Sequence, residues 1–525
     1  MMRFLLVFLF AGIFCSSCNN PVDNITVNID GNVIHYKATI ILSDPTGAGL
    51  PALTVKITGK DSASVYDYAG LKAIKVVNGV ITLGIHPDLE PTSTRDVQFN
   101  VVVSGVNYEP RVIPVTITAG QYNQTFNVSV LKTSATTVNA SVKTKSTALT
   151  TGKLTLADTL VTALTTAITE RTTVILAAGT EFKGATGALI KSTPLAETIV
   201  HYNTKSADIL SLFPGASFSS LNVTGQNGST GPAFLIPAAF ANVDMTVGAQ
   251  DVSSLSLAFK VSQEINPDFK PVATGQKVKA GDQLSIYSYN YTTGRWKYET
   301  TATVAADKYG KLAVTYTALS PNGFFAGDVL QTLACKNTSF KFIGPWLEKG
   351  SQPLNLEIWS ADGSMKLATK EVQVSDGTQQ AITDLPALAM SYKIRTTATN
   401  EILAQGNIAD PCLGEMINVT LTPPAGVISN ITLKLIVNCP GKGTISPPDF
   451  DLFYKLSSSG TYQLLGTVQN GVLNTTLLKI GTTYDFRVNW GAETTTVKSR
   501  TITANDSTSG SGTGQTLSIQ ACGVN

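Results

Sequence analysis

Histidine is almost absent from this chain. Its 525 residues contain three, His35, His86 and His201, and none belongs to a His-Glu-x-x-His or similar metal-ligand spacing. There is no Gly-x-Ser-x-Gly elbow, no Walker loop and no dinucleotide fingerprint. Charge is also scarce. Asp, Glu, Lys and Arg make up 14% of the residues, against about 25% in typical soluble proteins. The 38 basic and 36 acidic residues nearly cancel, leaving +2, so nothing electrostatic favours nucleic acid or an anionic lipid surface. Carboxylates are scattered. Asp449 and Asp451 share one face of a strand pattern, but after Pro447-Pro448 they read as loop solvation rather than as a hydrolytic pair. The sequence therefore predicts no catalytic residue, no metal ligand and no cofactor. Long apolar runs are missing too. The run Phe4 to Phe14 is too short for a membrane-spanning helix, which needs about 20 residues.

That run has a purpose of its own. Arg3 precedes it, and Cys15-Ser16-Ser17-Cys18 follows, the layout of an export signal. Small Ser16 and Ser17 ahead of Cys18 resemble the bacterial lipobox of Bacteroidota lipoproteins, although Cys15 stands where an aliphatic residue is usual. The resemblance implies a signal peptide over residues 1–17, a diacylglycerol on Cys18, and attachment to outer-membrane lipid. Asn19 and Asn20 in place of aspartate fit the outer membrane, and whether the chain faces the periplasm or the cell surface stays open. The alternative is an ordinary secretory signal that leaves Cys18 free.

The rest of the chain is rich in Thr, Ser, Asn and Gly, a mixture that favours strands and turns over helices. Period-two runs separated by turn signals such as Asp44-Pro45-Thr46-Gly47, Asn78-Gly79, Ala361-Asp362-Gly363 and Asn470-Gly471 predict an all-β chain of tandem sandwiches. Residues 18–132 resemble the carboxypeptidase-regulatory, transthyretin-like sandwich, a non-enzymatic module. Residues 133–336 combine a Thr-rich leader, with leading strands and at most one short helix around Ala157 to Ile168, and a larger sandwich. Its stretches Thr173 to Phe182, Leu212-Phe213-Pro214-Gly215 and Tyr287 to Trp296 resemble the β-rich module of cartilage intermediate layer protein. More distantly they resemble the sandwich of ankyrins and netrin receptors. Some of that group cleave themselves at His-Phe-Ser; here Ala318-Leu319-Ser320-Pro321 stands in its place, so no cleavage is expected. Residues 337–423 and 424–525 read as two immunoglobulin-like or transthyretin-like sandwiches, the last closing with a strand over 515–521.

Within the larger module, Tyr287, Tyr289 and Tyr291 fall on one face, with Trp296 and Tyr298 opposite them across a turn from Thr292 to Arg295. The stripe has two readings: sandwich core, or an exposed platform that stacks on sugar rings. Trp346, Trp359 and Trp490 are further stacking candidates. The four cysteines beyond the leader, Cys335, Cys412, Cys439 and Cys522, suggest disulfides in an exported chain. Pairing Cys335 with Cys412 and Cys439 with Cys522 closes loops of about 80 residues, each stabilising by roughly 4 kcal/mol on the chain-entropy model. Joining Cys412 to Cys439 is the rival. Ser62, Thr159 and Ser507 sit in triplets that resemble the Bacteroidota O-glycosylation site. Together these features point to a lipid-anchored, non-catalytic envelope protein that scaffolds or binds a partner. The alternatives are a glycan-binding accessory lipoprotein of a polysaccharide-uptake system and a fimbrial or adhesin subunit.

Overall fold

The computed structural model describes residues 34–502, apart from short interruptions of which 332–337 and 425–430 are the longest. Cys18, Cys335, Cys522, Ser507 and the strand expected over 515–521 lie outside the described residues, as do the side chains of Cys439 and Trp490. The fold is all-β, and the helical elements among the described residues are single turns of three or four residues. Alternation accounts for the strands. In Val97–Gly105, Val97, Phe99, Val101 and Val103 are buried while Gln98 is exposed, the pattern of a sheet with one covered face.

A first sandwich packs four strands, Val65–Tyr66, Val80–Ile85, Lys37–Ser43 and Asn123–Ser129, on three, Thr54–Thr58, Val97–Gly105 and Tyr108–Ile117. Its first strand pairs parallel with its last, Lys37 opposite Asn123, and antiparallel with Val80–Ile85. The same plan recurs. Thr338–Ile343 pairs parallel with Met416–Thr420 and antiparallel with Gln379–Ile382. The facing sheet runs Lys366–Val374, Gln352–Ser360, Met390–Thr396, Ile402–Ile408. In the last sandwich Ile431–Lys434 pairs with Val472–Thr475, across from Gln463–Val468, Phe450–Leu456, Thr483–Trp490 and Glu493–Thr501.

Between the first and third sandwiches lies a larger one, with sheets of eight and five strands. The Thr-rich leader enters it as two strands, Ala140–Thr147 and Asp158–Val161. The helical spacing around Leu160 is overridden by β-branched neighbours, which pack better on a pleated surface. The 18-residue strand Thr230–Val247 is its spine. A bulge at Pro237 accommodates the missing ladder donor. Across it Gly327 leaves no room for a side chain, since a Cβ there would sit 2.1 Å from the Ile236 carbonyl oxygen.

The modules do not hang as beads. The apolar core of the large sandwich runs without a break into the third, joining Trp296 and Phe325 to Phe340 and Leu356. The first sandwich touches all three others. It meets the second through Arg111 and Leu212, the third through Asn127 and Glu371 at 3.2 Å, and the fourth through Thr39 and Asp451 at 2.5 Å.

Candidate functional site

The aromatic stripe forms the expected hairpin, Gln283–Asn290 with Arg295–Thr303. The ladder closes at Asn290 and Arg295, so the turn runs from Tyr291 to Gly294 rather than from Thr292 to Arg295. A Cβ added at Gly294, at φ 66°, would sit 3.3 Å from Val112 of the first sandwich, so the hairpin tip lies close against that module. Trp296 is 1% exposed, Tyr289 2% and Tyr287 5%. Trp296 stacks on Phe213 at 5.3 Å between ring centroids and tilts against Tyr289 at 4.8 Å. Tyr287 meets Tyr298 edge to face at 5.5 Å. Tyr291 and Tyr298 are half-buried against the same core. The platform reading is thereby corrected. Protein rings already cover the faces of Tyr287, Tyr289 and Trp296. Trp359 is buried too, with Lys393 Nζ 4.0 Å from its ring, and half-buried Trp346 donates to the Leu421 carbonyl at 3.1 Å.

The groups that call for a functional explanation are polar and lie at the module junctions. Strand Tyr108–Ile117 brings Glu109 and Arg111, each 1% exposed, against the large sandwich. Tyr202, wholly buried at the end of Leu195–Tyr202, donates its hydroxyl hydrogen to Glu109 Oε2. Arg111 Nη1 donates to the Leu212 carbonyl, while Nη2 stands 3.5 Å from Glu109. Burial pushes the Glu109 carboxyl above its ordinary range, against the opposing pull of Arg111. It also drives the Tyr202 and Tyr291 hydroxyls far up. Close approach of the backbones makes the junction tight: Gly215, at φ 76°, would place a Cβ 2.9 Å from Pro114.

A second junction joins the first, third and fourth sandwiches. Asp451, expected in a solvated loop, is buried on strand Phe450–Leu456. It accepts from Thr39 at 2.5 Å and Thr467 at 2.8 Å. The preceding Asp449 offers its carbonyl to Lys37 Nζ at 2.8 Å. The correction has a physical cause: the carboxylate accepts from Thr39 of another module as well as from Thr467 on its own neighbouring strand, and one strand's pattern shows neither. Burial raises Asp451 and pushes Glu371 up to about 7.

Elsewhere the chemistry is sparse. Among the described residues no group of three His, Cys, Asp or Glu side chains could hold a metal ion. His201 is buried, bonded to Thr172 at 2.9 Å, and held at a pKa of about 3 by burial, so it is neutral. His35 pairs with Glu90 at 2.7 Å. Cys412 is disulfide-bonded, with its partner's side chain outside the described residues. Of the modification triplets, Thr159 is exposed and Ser62 half-buried. Open polar clefts are present among the described residues. One, of about 530 Å³, is lined by Lys455, Tyr462, Asp485 and Arg487. Another, of about 450 Å³, is lined by His35, Lys37, Glu90 and Tyr122. No helix among the described residues is long and apolar enough to cross a membrane.

No family model and no curated protein matches the chain. Among solved structures it is similar to a streptococcal ancillary pilin, at 9% identity over 44% of this chain and 93% of that one, with a TM-score of 0.14. It is similar to the Bacillus anthracis TIE protein, at 11% identity over 71% and 58% of the two chains, TM-score 0.14. It is also similar to the shaft pilin SpaA of Lactobacillus rhamnosus GG, at 11% identity over 33% and 95%, TM-score 0.17. At such scores the likeness carries no argument about activity, and the β-sandwich fold rests on the sheets described above.

Proposed function

We propose that the chain is a non-catalytic cell-envelope protein, anchored by lipid on Cys18, whose sandwiches form one stiff body with a structural or partner-binding role. The observation that supports this reading is the pair of buried polar junctions, Glu109–Arg111–Tyr202 and Thr39–Asp451. Inter-domain contacts are by default mobile. Desolvated ion pairs and buried hydrogen bonds are tolerated where one arrangement is held, since each is costly when half-made. A protein that must present its surface at a fixed distance and angle from a tether benefits from such joints. The aromatic stripe, read either as core or as a glycan platform, has Tyr287, Tyr289 and Trp296 buried against protein rings, which lends the glycan-binding alternative no support. Lipid on Cys18 places the chain at the outer membrane, and O-glycans on Ser62, Thr159 and Ser507 belong to the same reading.

Metabolic labelling with an alkynyl palmitate, followed by protease treatment of intact cells, tests it. Wild type should take up label and Cys18→Ala should not, and the sandwiches should resist limited proteolysis as one fragment. An unmodified Cys18 thiol in the native polypeptide, or turnover of polysaccharide or peptide by the purified chain, would overturn the proposal.

A further inference from the structure

Three side chains at the open margin of the large sandwich are not used by the junctions. Lys145 and Glu197 stand directly opposite each other on the antiparallel strands Ala140–Thr147 and Leu195–Tyr202. Opposed residues project to the same face of a sheet. Asp158 begins the strand Asp158–Val161, the edge of the facing five-stranded sheet. The Lys145 amine contacts Asp158 Oδ1, and Thr147 Oγ1 donates to Asp158 Oδ2 at 2.6 Å. Glu197 is 2% exposed; no donor reaches either of its carboxyl oxygens, and the group that its own proton can bond is Asp158. One cation thus faces two buried carboxyls. Burial, then the charge of Asp158, pushes Glu197 up to about 8, which leaves it a proton-bearing acid at neutral pH.

A simple ion pair explains Lys145 and Asp158 but not why a second, buried acid whose oxygens no donor satisfies is held against them, which is costly. We propose that Lys145 Nζ and Asp158 Cγ are joined by an intramolecular amide, with Glu197 as the proton carrier that makes it. Glu197 passes its proton to an Asp158 oxygen and takes one from the Lys145 ammonium. The freed amine lone pair attacks Cγ and the Nζ–Cγ bond forms. The Cγ–O bond then breaks, and the oxygen leaves as water with a second nitrogen proton relayed through Glu197. No atom is oxidised or reduced, and Glu197 ends as it began. Condensation is unfavourable between free partners in water, but fixed neighbours can have effective molarities of about 10⁵–10⁸ M, and the product removes two charges from a partly dry site. The bond would tie the margins of the two sheets, which no shared ladder joins there. Thr147 belongs to this arrangement as the donor that orients the Asp158 carboxyl.

Tryptic mapping of the full, reduced chain tests the proposal. Residues 144–153 should emerge joined to residues 154–171, uncut after Lys145 and lighter by one water, about 18 Da. Lys145→Arg and Asp158→Ala should yield only linear peptides. Glu197→Gln should retain a wild-type circular dichroism spectrum and yield mainly linear peptides. Cleavage after Lys145 with a linear, unmodified 154–171 peptide in the wild type would overturn the cross-link. Full linkage in Glu197→Gln would overturn the part given to Glu197. A sugar on Thr159 adds mass to the 154–171 peptide and leaves Lys145 cleavable, so that outcome also counts against the amide.

Discussion

Replacing Glu109 by Ala strands Arg111 in a place built for a pair. Both side chains are 1% exposed, so solvent screening does little for the guanidinium left behind, whose remaining partners are the Leu212 carbonyl and the Tyr202 hydroxyl, both neutral. Breaking one side of a buried ion pair typically costs about 3–5 kcal/mol. Tyr202 loses its acceptor as well, which places the expected value in the upper half of that range. Tyr202→Phe removes only the hydroxyl that Glu109 accepts and should cost about 1–3 kcal/mol. Glu109→Met with Arg111→Met, which leaves no stranded charge, should recover most of the loss, since apolar replacement of a buried pair is often neutral. Hydrogen exchange under native conditions reads the effect where it arises, at strands Tyr108–Ile117 and Leu195–Tyr202. Glu109→Ala should lower their opening free energy by the full amount while leaving Phe450–Leu456 nearly unchanged. A loss below about 1 kcal/mol, or single and double replacements that simply add, would refute the reasoning, because contacting groups are expected to be non-additive.

Trp296→Ala should destabilise the large sandwich by about 3–5 kcal/mol, the usual cost of emptying a large aromatic site; a denaturant titration checks it, and a loss under 1 kcal/mol would mean the stripe is not core. Glu371, raised from 4.5 to about 7, stays protonated in the folded chain while the unfolded chain ionises. Its contribution is present below about pH 4.5, is lost as pH rises to about 7, and should vanish in Glu371→Gln, seen as a flatter denaturation midpoint between pH 5 and 7. His201 works in the opposite sense. Its folded pKa lies near 3 against an ordinary 6.5, so its contribution is complete above about pH 6.5 and falls as pH drops from there toward 3; His201→Gln should flatten that acid limb. Thr39→Val removes a donor to buried Asp451 and should cost about 1–3 kcal/mol. That loss should appear as faster exchange in Phe450–Leu456, and unchanged exchange there would speak against the junction.

Period two made the strands legible, because each covered face repeats every second residue, as in Val97 to Val103. The hairpin was legible from Tyr-Thr-Thr-Gly flanked by aromatics, but its register shifted by one residue at the turn, where Gly294 in the left-handed region lets the ladder close on Arg295. Whether the stripe faced core or solvent was not decidable from one strand pair, since the covering rings of Phe213, Phe240 and Phe325 come from distant segments. The polar junctions went unread for the same reason: Glu109 finds Tyr202 at a separation of 93 residues, and Thr39 finds Asp451 at 412. One local signal existed. Glu109 and Arg111 interrupt a run otherwise fit for a buried strand, and charges inside such a run ask for partners from elsewhere. Glu197 carried the same signal within Leu195–Tyr202.

Small-angle X-ray scattering of the purified chain from residue 19 onward tests the central claim most directly. Four sandwiches held as one body should give a radius of gyration not far above the compact-chain value of about 24 Å, enlarged by the tails, and well short of the roughly 40 Å expected of four modules in line. The distance distribution should have a single main peak, unchanged by Thr39→Val alone. A value near 40 Å with separate intra- and inter-module peaks in the wild type would contradict the account, because the Glu109–Arg111–Tyr202 and Thr39–Asp451 joints could not then be closed.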